Sequence, residues 1–218
     1  MIDEDGFWTV MAAYNRDILP VQLCLYVLAV AVVVWTFIRP SRVQNVCVKL
    51  YCAISFAWTG IVFYMLLGKD IAGGSRGNYF FGALFVVISF LFMLDVFRRR
   101  MQFSLPVLVW KKTATLAITI LVLCYPLLGL VLGHGFQSLV VPGTFPCPTA
   151  ALALILLTTS LPDVDKVIYV ALLVVSIPFT PFFQIARYGV YEDVVLFATG
   201  LYGLILLVRH WRPAVESD

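Results

Sequence analysis

His134 and Cys147 are the residues whose types and surroundings best suit chemistry in this chain. Cys147 lies between two prolines in Pro146-Cys147-Pro148-Thr149. Proline in the first turn of a helix forfeits no hydrogen bond, so this sequence predicts an abrupt helix start. The free N–H groups and positive end of such a start stabilise a thiolate, a carboxylate or a bound anion. The loop before it, residues 133–146, has no Lys, Arg, Asp or Glu and includes Phe136, Leu139, Val140, Val141 and Phe145. A loop that apolar is expected to fold back over the mouth of a helical bundle and carry His134 toward Cys147. Imidazole and thiolate are a soft ligand pair for Zn or Cu, and also the beginnings of a nucleophile and its base. Two ligands do not specify a metal site; Tyr14, Asn15, Asp17, Asp70, Glu192 and Asp193 are further candidates on the same face. The plainer account, a His134 that caps the fourth helix and a Cys147 that packs, outweighs a functional pair.

Other chemistry is scarce. No Ser-His-Asp arrangement, HExxH, paired-carboxylate or CxxC spacing occurs, so no residue is assigned as catalytic and no cofactor is named. The run Gly73-Gly74-Ser75-Arg76-Gly77 lacks the strand and helix of a phosphate-cradling loop and reads as a polar turn. The last apolar segment contains no Lys, which excludes a retinal-type Schiff base. Asp95 stands three residues before Arg98-Arg99-Arg100 and is expected to form a partly hydrated ion pair with that cluster, which argues against a proton pump. Cys24, Cys52 and Cys124 fall inside apolar segments, where cysteine acts as a small hydrophobe; Cys47 sits at an inner edge.

The elements that must position these residues follow from composition. Of 218 residues, 62% are hydrophobic and 12% charged, with a mean hydropathy of +0.98. Soluble domains carry about 25% charged residues, so this is the make-up of an integral membrane protein. Disorder, a disulfide-stapled secreted domain and nucleic-acid binding are excluded by the same figures and by a net charge of only +3. Seven apolar segments can be read, 18–38, 46–67, 79–97, 113–133, 149–161, 167–183 and 194–208. They predict an all-α, polytopic transmembrane bundle. The fifth segment covers only about 20 Å, which leaves an alternative of five spans plus a re-entrant helical hairpin of the fifth and sixth. That hairpin would carry Asp163, Asp165 and Lys166 into the membrane, so seven spans is preferred. Pro178 and Pro181 loosen the outer end of the sixth; Gly129, Gly133, Gly200 and Gly203 read as close-packing contacts.

Charge sets the orientation. In a seven-span arrangement Arg39, Arg42, Lys49, Arg98, Arg99, Arg100, Lys111, Lys112, Lys166, Arg209 and Arg212 share one side, against Arg16, Lys69, Arg76 and Arg187 on the other. This predicts an N-terminus outside and a cytoplasmic C-terminus, with Trp35, Trp110 and Trp211 at the inner boundary and Trp8 at the outer. The acidic leader Asp3-Glu4-Asp5, and Arg39-Pro40-Ser41-Arg42 after the first segment, predict a retained helix, not a signal peptide. Phe7, Val10, Met11 and Tyr14 recur at helical spacing, so the expected organisation is an interfacial amphipathic helix over 1–17, one transmembrane domain over 18–208 and a cytoplasmic tail over 209–218.

Several runs carry a resemblance: Tyr14-Asn15 with Pro20, Trp58-Thr59-Gly60 with Tyr64, Gly82-Ala83-Leu84-Phe85, Tyr125-Pro126-Leu127-Leu128-Gly129, and Gly133-His134 with Pro146-Cys147-Pro148-Thr149. Together they resemble domain-of-unknown-function family 6064, small multispan bacterial membrane proteins, over nearly the whole chain. The resemblance implies a bacterial inner-membrane protein and gives no activity. Its motif residues lie at the outer ends of the spans, so Tyr14, Asn15, Trp58, Tyr64, His134, Cys147 and Thr149 are the expected ligand-binding residues, with His134 and Cys147 as metal ligands. The leading functional expectation is binding or transport of a small solute or soft metal ion at this outer vestibule. The alternative is a structural or assembly subunit, as a homo-oligomer or with a membrane-complex partner. Third comes a membrane-embedded enzyme acting on a lipid or quinone-like substrate. The bilayer is the expected surrounding in all three.

Overall fold

The computed structural model describes residues 4–67 and 75–211. Asp70, Lys69, Gly73, Gly74 and Arg212, all named above, lie outside the described residues. Among those described, every regular element is helical. Helix α1 runs over Glu4–Ile38, α2 over Arg42–Trp58 with a wider π-helical continuation Thr59–Leu67, and α3 over Ser75–Arg98. Then follow α4 (Val109–Leu123), α5 (Tyr125–Val131) and α6 (Pro146–Thr158). Helix α7 (Lys166–Val174) continues as a π-helix over Val175–Ile185 into the single turn α8 (Ala186–Tyr188), and α9 spans Val194–Trp211. Five helices are long and apolar enough to cross a membrane: Gly6–Ile38, Arg42–Leu67, Arg76–Arg98, Lys166–Tyr188 and Tyr191–His210. Their outward faces expose Leu23, Val27, Ile38, Phe80, Phe90, Phe97 and Val208, a surface suited to acyl chains and not to water.

The pair α4 and α5 counts as a sixth crossing only if bent, because it turns by 62° at Cys124. The apolar segment expected over 113–133 therefore falls on two helices bent against each other. The cause is Pro126, which brings no N–H and crowds the carbonyl one turn earlier. In contrast, α1 passes Asp17 and Pro20 without a break. Residues 4–17 are therefore continuous with the first span, and their apolar stripe of Phe7, Met11 and Tyr14 is buried against the bundle.

Helix α6 explains its own brevity. Pro146 and every residue from Pro148 to Thr158 are buried, with α2, α4, α7 and α9 packed around it. A helix apolar on all sides belongs in a core and need not match the thickness of a bilayer. It runs from the end holding Cys147 to the opposite end, where Ser160 Oγ accepts from the Gln102 amide at 3.1 Å. Elsewhere the packing is set by backbone contact: a Cβ on Gly60 would stand 2.7 Å from the Gly82 carbonyl oxygen, so α2 and α3 cross as closely as two helices can.

At the Ser160 end a buried ion pair replaces the expected one. Lys49 Nζ lies 2.7 Å from Asp95 Oδ2, with side chains 2% and 3% exposed. The Met101 amide donates to the same carboxylate oxygen at 3.1 Å and Lys49 also donates to the Asp95 carbonyl at 3.2 Å. The pairing of Asp95 with Arg98-Arg99-Arg100 is corrected accordingly: those three arginines are exposed at and beyond the end of α3. Lysine wins because its long apolar stem is buried along α2 and delivers only the ammonium to Asp95.

Candidate functional site

The site is built at the Cys147 end, and the loop 133–146 is its lid. Asn15 Nδ2 donates to the carbonyls of Gln137 and Leu139, both at 2.8 Å, and Gln22 Nε2 donates to Asn15 Oδ1 at 3.1 Å. Tyr14 donates its hydroxyl to the Thr144 carbonyl at 3.0 Å and accepts from Trp58 Nε1 at 2.9 Å. Thr149 Oγ1 accepts from the Gly143 amide at 2.8 Å. Four of the residues expected to bind ligand thus have polar groups engaged in tying an apolar loop down onto α1, α2 and α6. The loop needs such ties because its own carbonyls have no helix partners.

The structure brings His134 and Cys147 each to a carboxylate. His134 Nε2 lies 3.3 Å from Glu192 Oε1, and its ring rests on the indole of Trp8 with centroids 3.8 Å apart. Gly129 opens the space for this: a Cβ there would meet Glu192 Oε1 at 3.0 Å. Asp193, fully buried, accepts from the Tyr125 hydroxyl at 2.7 Å through Oδ1. The Cys147 thiol lies near the same carboxylate, and the buried Asp193 Oδ2 and Glu192 Oε2 have no hydrogen-bond partner. Because Cys147 is in the first turn of α6, the Asp193 carboxylate sits beside the positive end of that helix, the environment inferred from the Pro-Cys-Pro run. Among the described residues no group of three or more His, Cys, Asp and Glu is placed to hold a metal ion. The soft-metal expectation on His134 and Cys147 therefore finds no third ligand.

Asp193 and Cys147 border a cavity of about 270 Å³. Its walls are aromatic, from Phe63, Tyr64, Phe81, Phe145, Phe179 and Tyr188, with Thr180, Gln184 and Arg187 as further polar groups. One wall is the π-helical stretch of α7, whose Pro178 and Pro181 remove N–H groups and widen the turns. The Arg187 guanidinium lies 5.3 Å over the Tyr188 ring, and Tyr188 stacks on Phe7 with centroids 4.8 Å apart. The arrangement offers an apolar slot bordered by a buried carboxylate, one oxygen of which has no hydrogen-bond partner. That is a geometry for holding an amphiphile by a donor group.

Reasoning from sequence placed Glu192 and Asp193 on this face without separating their roles. It gave Tyr125 no role and missed the aromatic walls. A usable signal was present in the adjacent acids Glu192-Asp193 immediately before an apolar run, because a charge pair at that position needs partners. No curated protein and no solved structure matches this chain. Over residues 4–216 it matches the model of a family of unknown function, DUF6064, and the chain belongs to that family.

Proposed function

We propose that this is an inner-membrane protein that binds a small amphiphilic solute in an extracytoplasmic vestibule. The solute's apolar body would lie between the aromatic walls and its donor group on Asp193. The observation that carries the reading is the approximately 270 Å³ cavity bordered by a buried carboxylate with an oxygen that no strong donor reaches. A buried carboxylate left short of partners costs stability, and a ligand that completes it recovers that cost on binding. The soft-metal variant of this reading is set aside.

The topology that goes with it has seven crossings, with α4–α5 as one bent span and α6 as the central one. The N-terminus is outside and the C-terminus cytoplasmic, so that the arginine-rich end faces the cytoplasm. The organisation is one helical domain over 18–208 that extends into the N-terminal turns.

Extraction of the full chain into native-lipid particles, followed by mass spectrometry of small molecules retained, tests the binding. The expected result is a retained amphiphile whose affinity falls at least tenfold in Asp193→Asn, since one good charge-assisted hydrogen bond is worth about 1.5–3 kcal/mol. Equal retention by parent and variant, or none by the parent, overturns the assignment. Cysteine-accessibility labelling at positions 16 and 209 reads the orientation.

A further inference from the structure

A second cavity lies at the opposite end of the bundle and is independent of the vestibule. It has a volume of about 670 Å³ and is formed by the start of α2 and the chain that leaves α3. Its lining includes Arg42, Arg99, Ser41, Asn45, Gln102 and Ser104, and contains no Asp or Glu. Lys49 also borders it, but its charge is cancelled by Asp95 at 2.7 Å. The uncompensated charge is therefore that of the two arginines, both exposed.

Two structural features concentrate that charge. Helix α2 begins at this cavity. Its capping box, Ser41 Oγ accepting from the Gln44 amide and Gln44 Oε1 accepting from the Ser41 amide, leaves the N–H groups of Arg42 and Val43 without partners inside the helix. Separately, Arg99 has φ +55°, the left-handed conformation that normally goes to glycine just past a helix end. Holding a residue with a Cβ there is unfavourable, and a helix stop alone would be better served by Gly. What arginine adds is a positive charge on a residue that lines the cavity. The walls are tied in place, since the Phe103 amide donates to Asn45 Oδ1 at 2.7 Å and the Gln102 amide to Ser160 Oγ at 3.1 Å. A donor-rich, acid-free, pre-arranged cavity is suited to an oxyanion with several acceptor oxygens. Its volume exceeds that of a bare phosphate ion, and its lining includes the exposed, apolar Val43.

We infer that this cavity binds a phosphoryl group, presented as the headgroup of an anionic phospholipid or as a soluble phosphate ester, with Arg42 and Arg99 as the charged contacts. The test uses the full-length protein. In one arm, inorganic phosphate and glycerol phosphate are titrated calorimetrically onto protein in phosphatidylcholine nanodiscs. In the other, native mass spectrometry measures retention of phosphatidylglycerol over phosphatidylcholine. The variants are Arg42→Gln, Arg99→Gly and the double variant, with Arg100→Gln, which lies outside the cavity, as the charge-matched control. Saturable binding in the first arm identifies a soluble ester, and selective retention in the second identifies a headgroup. Either should weaken about fivefold per lost arginine and about 25-fold in the double variant. Arg100→Gln should change it less than twofold. Because Arg99→Gly removes the charge while relieving the backbone, its thermal midpoint should equal or exceed the parent's, which separates lost binding from lost folding. No selective binding by the parent in either arm overturns the inference. So does a loss in Arg100→Gln as large as in Arg99→Gly, which would mean general surface charge.

Discussion

The two ends of the bundle bury carboxylates in opposite ways. At one end Asp95 is met by the Lys49 ammonium and the Met101 amide on the same oxygen, inside a shell that admits almost no solvent. At the other end Glu192 and Asp193 are just as buried, yet each keeps one oxygen without a strong donor. Desolvation is costly in both places, so the difference is the counter-charge: Asp95 has an ammonium 2.7 Å away, whereas Asp193 is met by a hydroxyl. A carboxylate paired with a buried ammonium serves the fold; one without a cation beside a cavity is the one we propose a ligand completes. The same comparison holds for the cations: Lys49 is consumed internally, whereas Arg42 and Arg99 face an acid-free cavity.

The largest expected effect is at the completed pair. Lys49→Met leaves Asp95 buried with only an amide for company and should cost about 3–5 kcal/mol in equilibrium unfolding in detergent. Lys49→Met combined with Asp95→Leu should recover most of that loss, because the pair is then removed as a unit; a double variant no better than the single would refute the pairing. Next is the close crossing of α2 and α3. Gly60→Ala places a methyl 2.7 Å from the Gly82 carbonyl oxygen and should cost about 1–3 kcal/mol, a loss no neighbouring side-chain rotation relieves since the obstacle is backbone.

Asp193→Asn sharpens the comparison from the other side. The Tyr125 hydroxyl can still donate to the amide oxygen, while the ionisable group that no strong donor completes is gone. Stability should therefore hold or rise by about 1 kcal/mol while ligand retention falls, the trade expected where a binding site is kept at the fold's expense. If Asp193→Asn instead unfolds the protein as Lys49→Met does, the two carboxylates are alike and the distinction drawn between the ends fails.

Much of this frame was legible from residue types. The segments at 18–38, 46–67, 79–97, 167–183 and 194–208 reappear within long helices, because an apolar run bounded by charge or proline has few alternatives in lipid. The bend at Cys124 was missed because Pro126 lies inside an apolar run that looks continuous, although the same first-turn rule that located Pro146 applies to it. The shortness of α6 could be seen, but its cause could not: an unbroken apolar stretch reads alike whether lipid or protein surrounds it. The residues expected at the site could be read as sharing an end of the bundle, but not as partners. His134 and Cys147 each meet an acid of one turn, but which acid each would meet depends on Tyr191–Asp193 arriving from the far side of the chain.

The smallest expected effect is also the one that best separates the two accounts of Asp95. Read from sequence spacing, Arg98-Arg99-Arg100 neutralise it; in the fold they are exposed and Lys49 does so. Exposed ion pairs contribute about 0–1 kcal/mol, and a surface arginine with no buried partner contributes less. Arg98→Gln should therefore change unfolding stability by under about 0.5 kcal/mol, roughly a tenth of the Lys49→Met cost. The ratio of the two matters more than either value, because both remove one positive charge from the same end of the bundle and so share any long-range electrostatic loss. A ratio near one would mean that the arginine cluster carries the charge of Asp95 after all, and that the completed pair is not what holds this end together.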